Sequence, residues 1–156
     1  MISHEPAGYA CPFCAMLDAE SRVRDPYLVY EDELVFALVS LRWWTNNPGH
    51  ALVMPKRHIE NLYEMPGPLS DRVHRFSRDL ARAMKAVYAC DGVSTRQHNE
   101  PAGDQSVWHY HLHVLPRFEG DNLYGSELEF APAERRRECA ALLREYFARN
   151  RPAWDE

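Results

Sequence analysis

The sequence lacks both the long apolar segments of a membrane protein and the excess positive charge typical of a nucleic-acid-binding protein. No stretch approaches the roughly 18 consecutive apolar residues that a membrane-spanning helix needs. Residues 1–6 contain neither the basic start nor the apolar run of a secretory signal, so we expect a cytoplasmic protein. A net charge of −5 argues against a nucleic-acid partner, whereas a small phosphorylated ligand needs only a local positive site.

Cysteine is also scarce, with four in 156 residues. In a reducing compartment the spacing of Cys11 and Cys14 indicates metal or redox chemistry more than a disulfide. Cys90 and Cys139 fall within or at the ends of predicted helices, and we interpret them as inert, small apolar residues.

Linkers, repeats and low-complexity segments are missing as well, which predicts one domain over 1–156 with a loose tail at 1–10. Apolar residues at spacings of three and four predict a long helix over 68–89. Shorter patterns predict strands at 27–30, 34–40, 50–54 and 93–97, a short helix at 15–22, loops at 41–48 and 118–130, and a last helix from Pro132. With the histidine-rich strand, they predict an α+β fold: a mostly antiparallel five-stranded sheet, one long helix packed on it and a C-terminal helix.

That strand contains three histidines at alternate positions. His109, His111 and His113 point to one face of a strand, and the apolar residues between them point to the other. A buried row of imidazoles carries a desolvation cost unless each nitrogen is hydrogen-bonded. The row therefore indicates a function more than a role in packing.

Two kinds of chemistry fit these histidines. An H-x-H pair can supply two imidazoles to zinc, and Cys11 and Cys14 supply only two of the four ligands that a closed structural site requires. Two histidines from elsewhere must complete such a site, and His58 and His109 are candidates. Alternatively, a neutral imidazole can attack phosphorus and form a covalent nucleotidyl intermediate.

Groups compatible with phosphate surround the row. Residues 103–106 enter the strand with backbone N–H groups that can bind an anion as a nest. The Ser106 hydroxyl can donate a hydrogen bond, and Arg117 and Lys56 carry positive charge. Each group alone is a weak signal, and their convergence on one strand favours a phosphate ligand.

The segment from His109 to Leu115 resembles the H-x-H-x-H-x-x motif of the histidine triad (HIT) superfamily. Further matches are Gln105-Ser106-Val107, Pro116-Arg117, Asn99-Glu100, Gly49-His50 and Pro55-Lys56-Arg57-His58. The resemblance covers a core at 11–121 and leaves 122–156 as a C-terminal loop and helix. It implies a HIT-like fold, a homodimer and a nucleotide substrate hydrolysed or transferred at its α-phosphate.

The resemblance also assigns roles to single residues. It implies that His111 is the nucleophile, that His113 hydrogen-bonds and polarises the phosphate, and that Ser106 contacts the phosphate or the leaving group. Asn99 would lie at the phosphate or ribose. The backbone N–H groups from Asp104 through Gln105 to Ser106 would hold the developing charge.

A zinc-containing bacterial branch of this family binds the metal through residues that correspond to Cys11, Cys14, His58 and His109. The resemblance thus implies a structural Zn²⁺ that anchors the N-terminal segment to the active strand. The family's nucleotidyltransferase branches carry Gln at the third triad position, so His113 is typical of the hydrolase branches.

The chain differs from many relatives at three places. Ser40 stands where relatives carry an Asp that binds the ribose hydroxyls, and Asp104 stands where they often carry Gly. A carboxylate at Asp104 would repel a polyphosphate, point into solvent or favour an amine leaving group. The third difference is a loop with Trp43 and Trp44, and one of these rings would stack on a base or cover the core.

The leading hypothesis is a hydrolase acting on an adenine (di)nucleotide or a nucleoside phosphoramidate through nucleotidyl-His111, with structural zinc. Two rivals remain. One is a nucleotide-binding sensor with negligible turnover, and the other is a metalloenzyme that uses all three histidines on an open zinc.

Overall fold

The structure is a computed structural model that describes residues 3–18 and 25–152. Its described residues form strands β1 Leu28–Glu31, β2 Val35–Val39, β3 Arg42–Trp44, β4 Ala51–Pro55, β5 Gly92–Gln97, β6 Leu112–Arg117 and β7 Leu128–Phe130, and helices α1 Pro12–Ala15, α2 Gly67–Tyr88 and α3 Ala133–Arg149. Five strands pair antiparallel in the order β1-β2-β4-β6-β5, and β3 pairs with β7 separately. The predicted α+β fold with a five-stranded sheet is confirmed.

The inner strands β2 and β4 of the large sheet are buried on both faces. Every residue of β2 and β4 is buried, which explains why their sequences are continuous apolar runs instead of alternating ones. Helices α2 and α3 pack on one face and enclose the main core. On the other face the N-terminal segment places Cys11 and Phe13 against a smaller apolar cluster from β2 and β4. That second face contains the histidine row.

Helix α2 lies within one residue of the predicted helix at each end. Leu69, Val73, Phe76, Leu80 and Met84 are buried along its inner side, as the spacing predicted. The part of the chain that the structure describes contains no helix long and apolar enough to cross a membrane.

The local predictions that differ from the structure concern short elements. The predicted helix at 15–22 is replaced by α1, a single turn at Pro12–Ala15, and residues 19–24 lie outside the described part of the chain. The predicted loops at 41–48 and 118–130 contain β3 and β7, each three residues long. They pair with each other across more than 80 residues of sequence, so no local pattern could have indicated them.

The histidine strand is shorter than predicted. β6 begins at Leu112, so His109 and His111 precede it. Continuing the β4–β6 register would place Pro55 opposite Tyr110, and proline has no N–H to donate to a ladder. The Tyr110 N–H donates instead to the carbonyl of Ile59, at 2.6 Å.

The described part of the predicted loose tail is held in place by specific contacts. The hydroxyl of Ser3 and the backbone N–H of His4 both donate to the carboxylate of Glu60. The His4 ring stacks on Trp108, with 5.9 Å between ring centroids. These contacts join residues that are more than 50 positions apart in the sequence, which is why composition alone did not indicate them.

Candidate active site and metal centre

The three triad histidines lie at and just before the start of β6, and the N-terminal segment packs against the first two. The rings of His111 and His113 are 4.9 Å apart between centroids. Phe13 of α1 lies edge-on to His109 and His111, at 5.7 and 5.4 Å. His109 and His111 are buried and His113 is half-buried. Hydrogen bonds within the protein set the orientation of each ring.

The hydrogen bond made by His111 determines which of its nitrogens is free to react. Its Nδ1–H donates to the carbonyl of His109 at 2.8 Å, and because a carbonyl can only accept, Nδ1 carries the proton. The Nε2 of the neutral ring is then left with its lone pair. Burial lowers the pKa of His111 below its ordinary value, which keeps the ring neutral and nucleophilic near pH 7.

A chain of two hydrogen bonds sets the tautomer of His113. His50 Nδ1–H donates to the carbonyl of Arg42 at 3.0 Å, which leaves His50 Nε2 as an acceptor. His113 Nδ1 lies 2.9 Å from that Nε2 and must donate to it. Burial lowers the pKa of His50 to about 4 and is also the main reason why the pKa of His113 falls far below its ordinary value. Both rings are therefore neutral, and His113 Nε2 is an acceptor in the free site.

His98 adds a fifth imidazole to this group. Its Nδ1–H donates to the carbonyl of Gly103 at 2.7 Å, and its ring lies edge-on to His113 at 5.5 Å. Sequence reasoning assigned no role to His50 or His98. The available signal for His50 was its place at the entrance of an otherwise apolar strand, directly after Gly49.

Beside the row, two thiols and two imidazoles form a compact cluster. Cys11, Cys14, His58 and His109 each offer one ligand atom, and these atoms lie within 4.8 Å of one another. Cys11 Sγ is 3.3 Å from His109 Nδ1, and Cys14 Sγ is 3.2 Å from His58 Nδ1. The structure thus brings together the four residues that the resemblance implied.

The outer nitrogens of both imidazoles are already bonded in the manner typical of metal ligands. His109 Nε2–H donates to the carbonyl of Pro55 at 2.9 Å, and His58 Nε2 lies 2.6 Å from the carboxylate of Glu5. Both Nδ1 lone pairs therefore point at the thiols. Burial and the neighbouring Cys11 raise the pKa of Cys14 to about 12. This donor set fits a tetrahedral zinc ion.

The loop before β6 is strongly constrained by its own hydrogen bonds. Gln105 is buried, its Oε1 accepts the Glu100 N–H at 2.8 Å, and its Nε2 donates to the carbonyls of Glu60 and Val107. The Asn99 Oδ1 accepts the Leu62 N–H at 2.8 Å. Both amides hold the backbone of the loop in position.

The predicted anion nest is smaller than the sequence indicated. The N–H groups of Gly103, Asp104 and Gln105 donate to carbonyls of Glu100 and Pro101. Within residues 3–18 and 25–152, the Ser106 N–H and hydroxyl have no partner. Ser106 is exposed and is the group of this loop that remains free to bind an anion.

The residues where the chain departs from the family pattern are also placed. Ser40 is buried at the end of β2, and its hydroxyl accepts the Arg42 N–H at 3.3 Å. Asp104 is exposed and has a φ of 65°, a region that glycine adopts freely. Trp43 is buried in the main core, whereas the Trp44 ring lies beside His50 at 5.7 Å.

Comparison with known proteins agrees with the resemblance to the HIT superfamily. The family model described as the HIT domain matches residues 21–120. The chain is 34% identical over 116 residues to Protein hit of Bacillus subtilis, covering 74% of this chain and 77% of that protein. It is 30% identical over 121 residues to adenylylsulfatase HINT3 of Arabidopsis thaliana, covering 75% and 57% respectively. A zinc-bound histidine triad protein from Mycobacterium smegmatis superposes with a TM-score of 0.75 at 31% identity, covering 90% and 95%.

Proposed function

Since the chain belongs to the HIT domain family, we propose that it is a hydrolase that cleaves at the α-phosphate of an adenine (di)nucleotide or a nucleoside phosphoramidate. The observation that carries this proposal is the His111 ring, which is buried, neutral and tied through Nδ1 to the His109 carbonyl. Its Nε2 lone pair is then available to attack phosphorus. The similarity to an adenylylsulfatase supports an adenylyl group as the nucleotidyl group that is transferred to His111.

The reaction proceeds in two displacements. His111 Nε2 attacks the α-phosphorus, a P–N bond forms, and the bond to the leaving group breaks with its electrons going to that group. Water then attacks the same phosphorus, and the P–N bond breaks to return the electron pair to His111. The proton of the attacking water passes to an acceptor such as the bare Nε2 of His113.

Neighbouring groups bind the phosphate. A bound anion favours protonation of His113, whose Nε2–H donates to the phosphate during the first displacement. That proton then passes to the leaving group, so Nε2 is bare again when water attacks. The Ser106 hydroxyl and N–H provide two more donors. Asn99 and Gln105 hold the loop. One Asn99 N–H donates to the Gln97 side chain at 2.6 Å, and the other would donate to the phosphate or ribose. Ser40 would lie toward the ribose.

The metal in this proposal is structural. Cys11, Cys14, His58 and His109 would hold a zinc ion, which supplies a fixed cross-link between the N-terminal segment and β6. Because the carbonyl of His109 accepts the His111 Nδ1–H, fixing His109 also fixes the nucleophile. X-ray absorption at the zinc edge should show two sulfur ligands at about 2.3 Å. An all-nitrogen and oxygen shell would favour the rival metalloenzyme.

A homodimer is part of the same proposal. Strand β5 lies at one edge of the large sheet, with β6 as its only partner within the described residues. An unpaired edge can pair with the same edge of a second copy. Sedimentation of the protein at micromolar concentration tests this expectation.

The decisive experiment is an analysis of products. The wild type and His111→Ala would be incubated with dinucleoside polyphosphates, nucleoside triphosphates and adenosine 5′-phosphoramidate. The wild type should release a nucleoside monophosphate, and His111→Ala should lose turnover while keeping nucleotide binding. A matched control is His74→Ala, since His74 is exposed on α2 and its ring donates to the Ser70 carbonyl of the same helix.

Two results would contradict the proposal. Wild-type turnover by His111→Ala would exclude the covalent mechanism. Binding without turnover of any substrate by the wild type would favour the sensor.

A further inference from the structure

One arginine, Arg96, lies next to the triad and has no role in the mechanism above. Arg96 of β5 is the direct cross-strand partner of His113 of β6. Directly paired residues on antiparallel strands point to the same face of the sheet, so Arg96 lies on the catalytic face. Its charge contributes to lowering the pKa of both His50 and His113, which agrees with this proximity.

Two aromatic rings hold the Arg96 side chain. The guanidinium carbon is 5.2 Å from the centroid of Trp44 and 5.5 Å from that of Tyr124. Contacts of this kind orient a guanidinium without using its N–H donors. Across residues 3–18 and 25–152, Arg96 has neither a carboxylate partner nor a side-chain hydrogen bond. The donors of a half-buried cation are therefore available to a ligand.

The neighbouring Arg117 provides a contrast. Its Nε and Nη2 donate to the carboxylate of Asp121 at 2.7 and 2.8 Å, and its Nη1 donates to Ser94 at 3.0 Å. The charge of Arg117 is thus compensated within the protein. Arg117 lies 5.9 Å from the ring of Tyr124, which stands between the two arginines.

The order of the strands indicates which part of a substrate would reach Arg96. In the proposed function the ribose lies toward Ser40, which directly follows β2, and the order β2-β4-β6-β5 puts Arg96 beyond the triad on the opposite side. With the α-phosphate at His111 and His113, the nucleoside lies toward β2 and the leaving group toward β5. A phosphate chain would therefore meet the free guanidinium.

We propose that Arg96, held between Trp44 and Tyr124, forms a subsite for the phosphate chain of an anionic leaving group. Guanidinium groups bind phosphate oxygens through charge-assisted, often bidentate hydrogen bonds. A small neutral amine offers no such oxygens, so this subsite selects nucleoside polyphosphates over phosphoramidates. The proposal rests on the proposed function, since a leaving group exists only if the α-phosphate bond is cleaved.

The kinetic test compares substrates that differ only in their leaving group. In Arg96→Gln, kcat/KM for ATP or diadenosine triphosphate should fall about 10- to 100-fold, which corresponds to the loss of one or two charge-assisted hydrogen bonds. The same constant for adenosine 5′-phosphoramidate should stay within about twofold. Arg149→Gln, which removes an equal charge from the exposed end of α3, should change neither. An equal loss on both substrate classes would overturn the proposal.

A binding measurement separates this proposal from the proposed function. Calorimetry with inorganic tripolyphosphate requires no turnover, and the zinc content would be checked before and after each titration. The wild type and Arg149→Gln should bind the anion at least tenfold more tightly than Arg96→Gln. Equal affinities would refute the subsite even if the enzyme is active. An inactive wild type that still shows this difference would refute the proposed function and with it the leaving-group role, and would support Arg96 only as a polyphosphate-binding site.

Discussion

Lowering the pH should destabilise this protein through the protonation of His50. The ring is fully buried between Trp44 and His113, and both of its nitrogens are hydrogen-bonded in the neutral form. In the unfolded chain the same imidazole has an ordinary pKa of 6.5, whereas burial lowers its pKa to about 4 in the folded protein. The stability that comes from a neutral His50 is thus fully present above pH 6.5, and it is lost as the pH falls from 6.5 toward 4.

The size of the effect follows from these two values. A tenfold change in proton affinity is worth about 1.4 kcal/mol, so the whole difference amounts to about 3 kcal/mol. About 2 kcal/mol of it should be lost between pH 7.5 and pH 5. That loss is a large fraction of the stability of a typical domain.

Urea unfolding at pH 7.5 and pH 5 measures this loss, with His50→Gln as the test variant. Glutamine provides one donor for the Arg42 carbonyl and one acceptor for His113 but does not titrate. The wild type should lose about 2 kcal/mol more than His50→Gln between the two pH values. His74→Gln, altered at an exposed histidine, should behave like the wild type. Equal pH dependence in the wild type and His50→Gln would refute the reasoning.

Two further predictions concern the metal centre and the loop before β6. Glu5→Gln should weaken zinc binding about 10- to 100-fold, because the carboxylate orients His58, and competition with a chromophoric chelator measures this. The exposed Glu33→Gln is the control, and equal affinities would show that Glu5 has no such role. Glu100→Gly should raise the free energy of unfolding by about 1 kcal/mol, because Glu100 has φ 62° and ψ 167°, a region open essentially to glycine alone. Glu100→Ala retains a Cβ and should give no gain in urea unfolding, and a destabilised Glu100→Gly would contradict this account.

Local patterns were sufficient for the main elements. The three- and four-residue spacing of apolar side chains predicted α2 to within one residue, and the apolar runs predicted β2 and β4. Patterns of this kind report burial within one element, and burial is a property of the element's own sequence. The triad motif likewise identified the family from a single short segment.

Pairing between distant segments lay beyond those patterns. Strands β3 and β7 are three residues each and exist because they pair with each other. The early end of the β4–β6 ladder depends on Pro55 meeting Tyr110, which requires knowledge of the register. The two cysteines made His58 and His109 candidate ligands, but only the resemblance assigned both of them to the zinc site, since spacing left the ligands open.

The sequence by itself determined the α+β fold, the long helix, the HIT family and the set of chemically active side chains. All of these depend on residue identity and on the periodicity of single elements. Only the tertiary structure decided which nitrogen of each histidine is free, because the carbonyls of His109, Arg42 and Pro55 that set the tautomers come from three separate segments. It also decided that Arg96 lies beside His113 with no carboxylate partner among the described residues, because cross-strand register, and not sequence proximity, makes them neighbours.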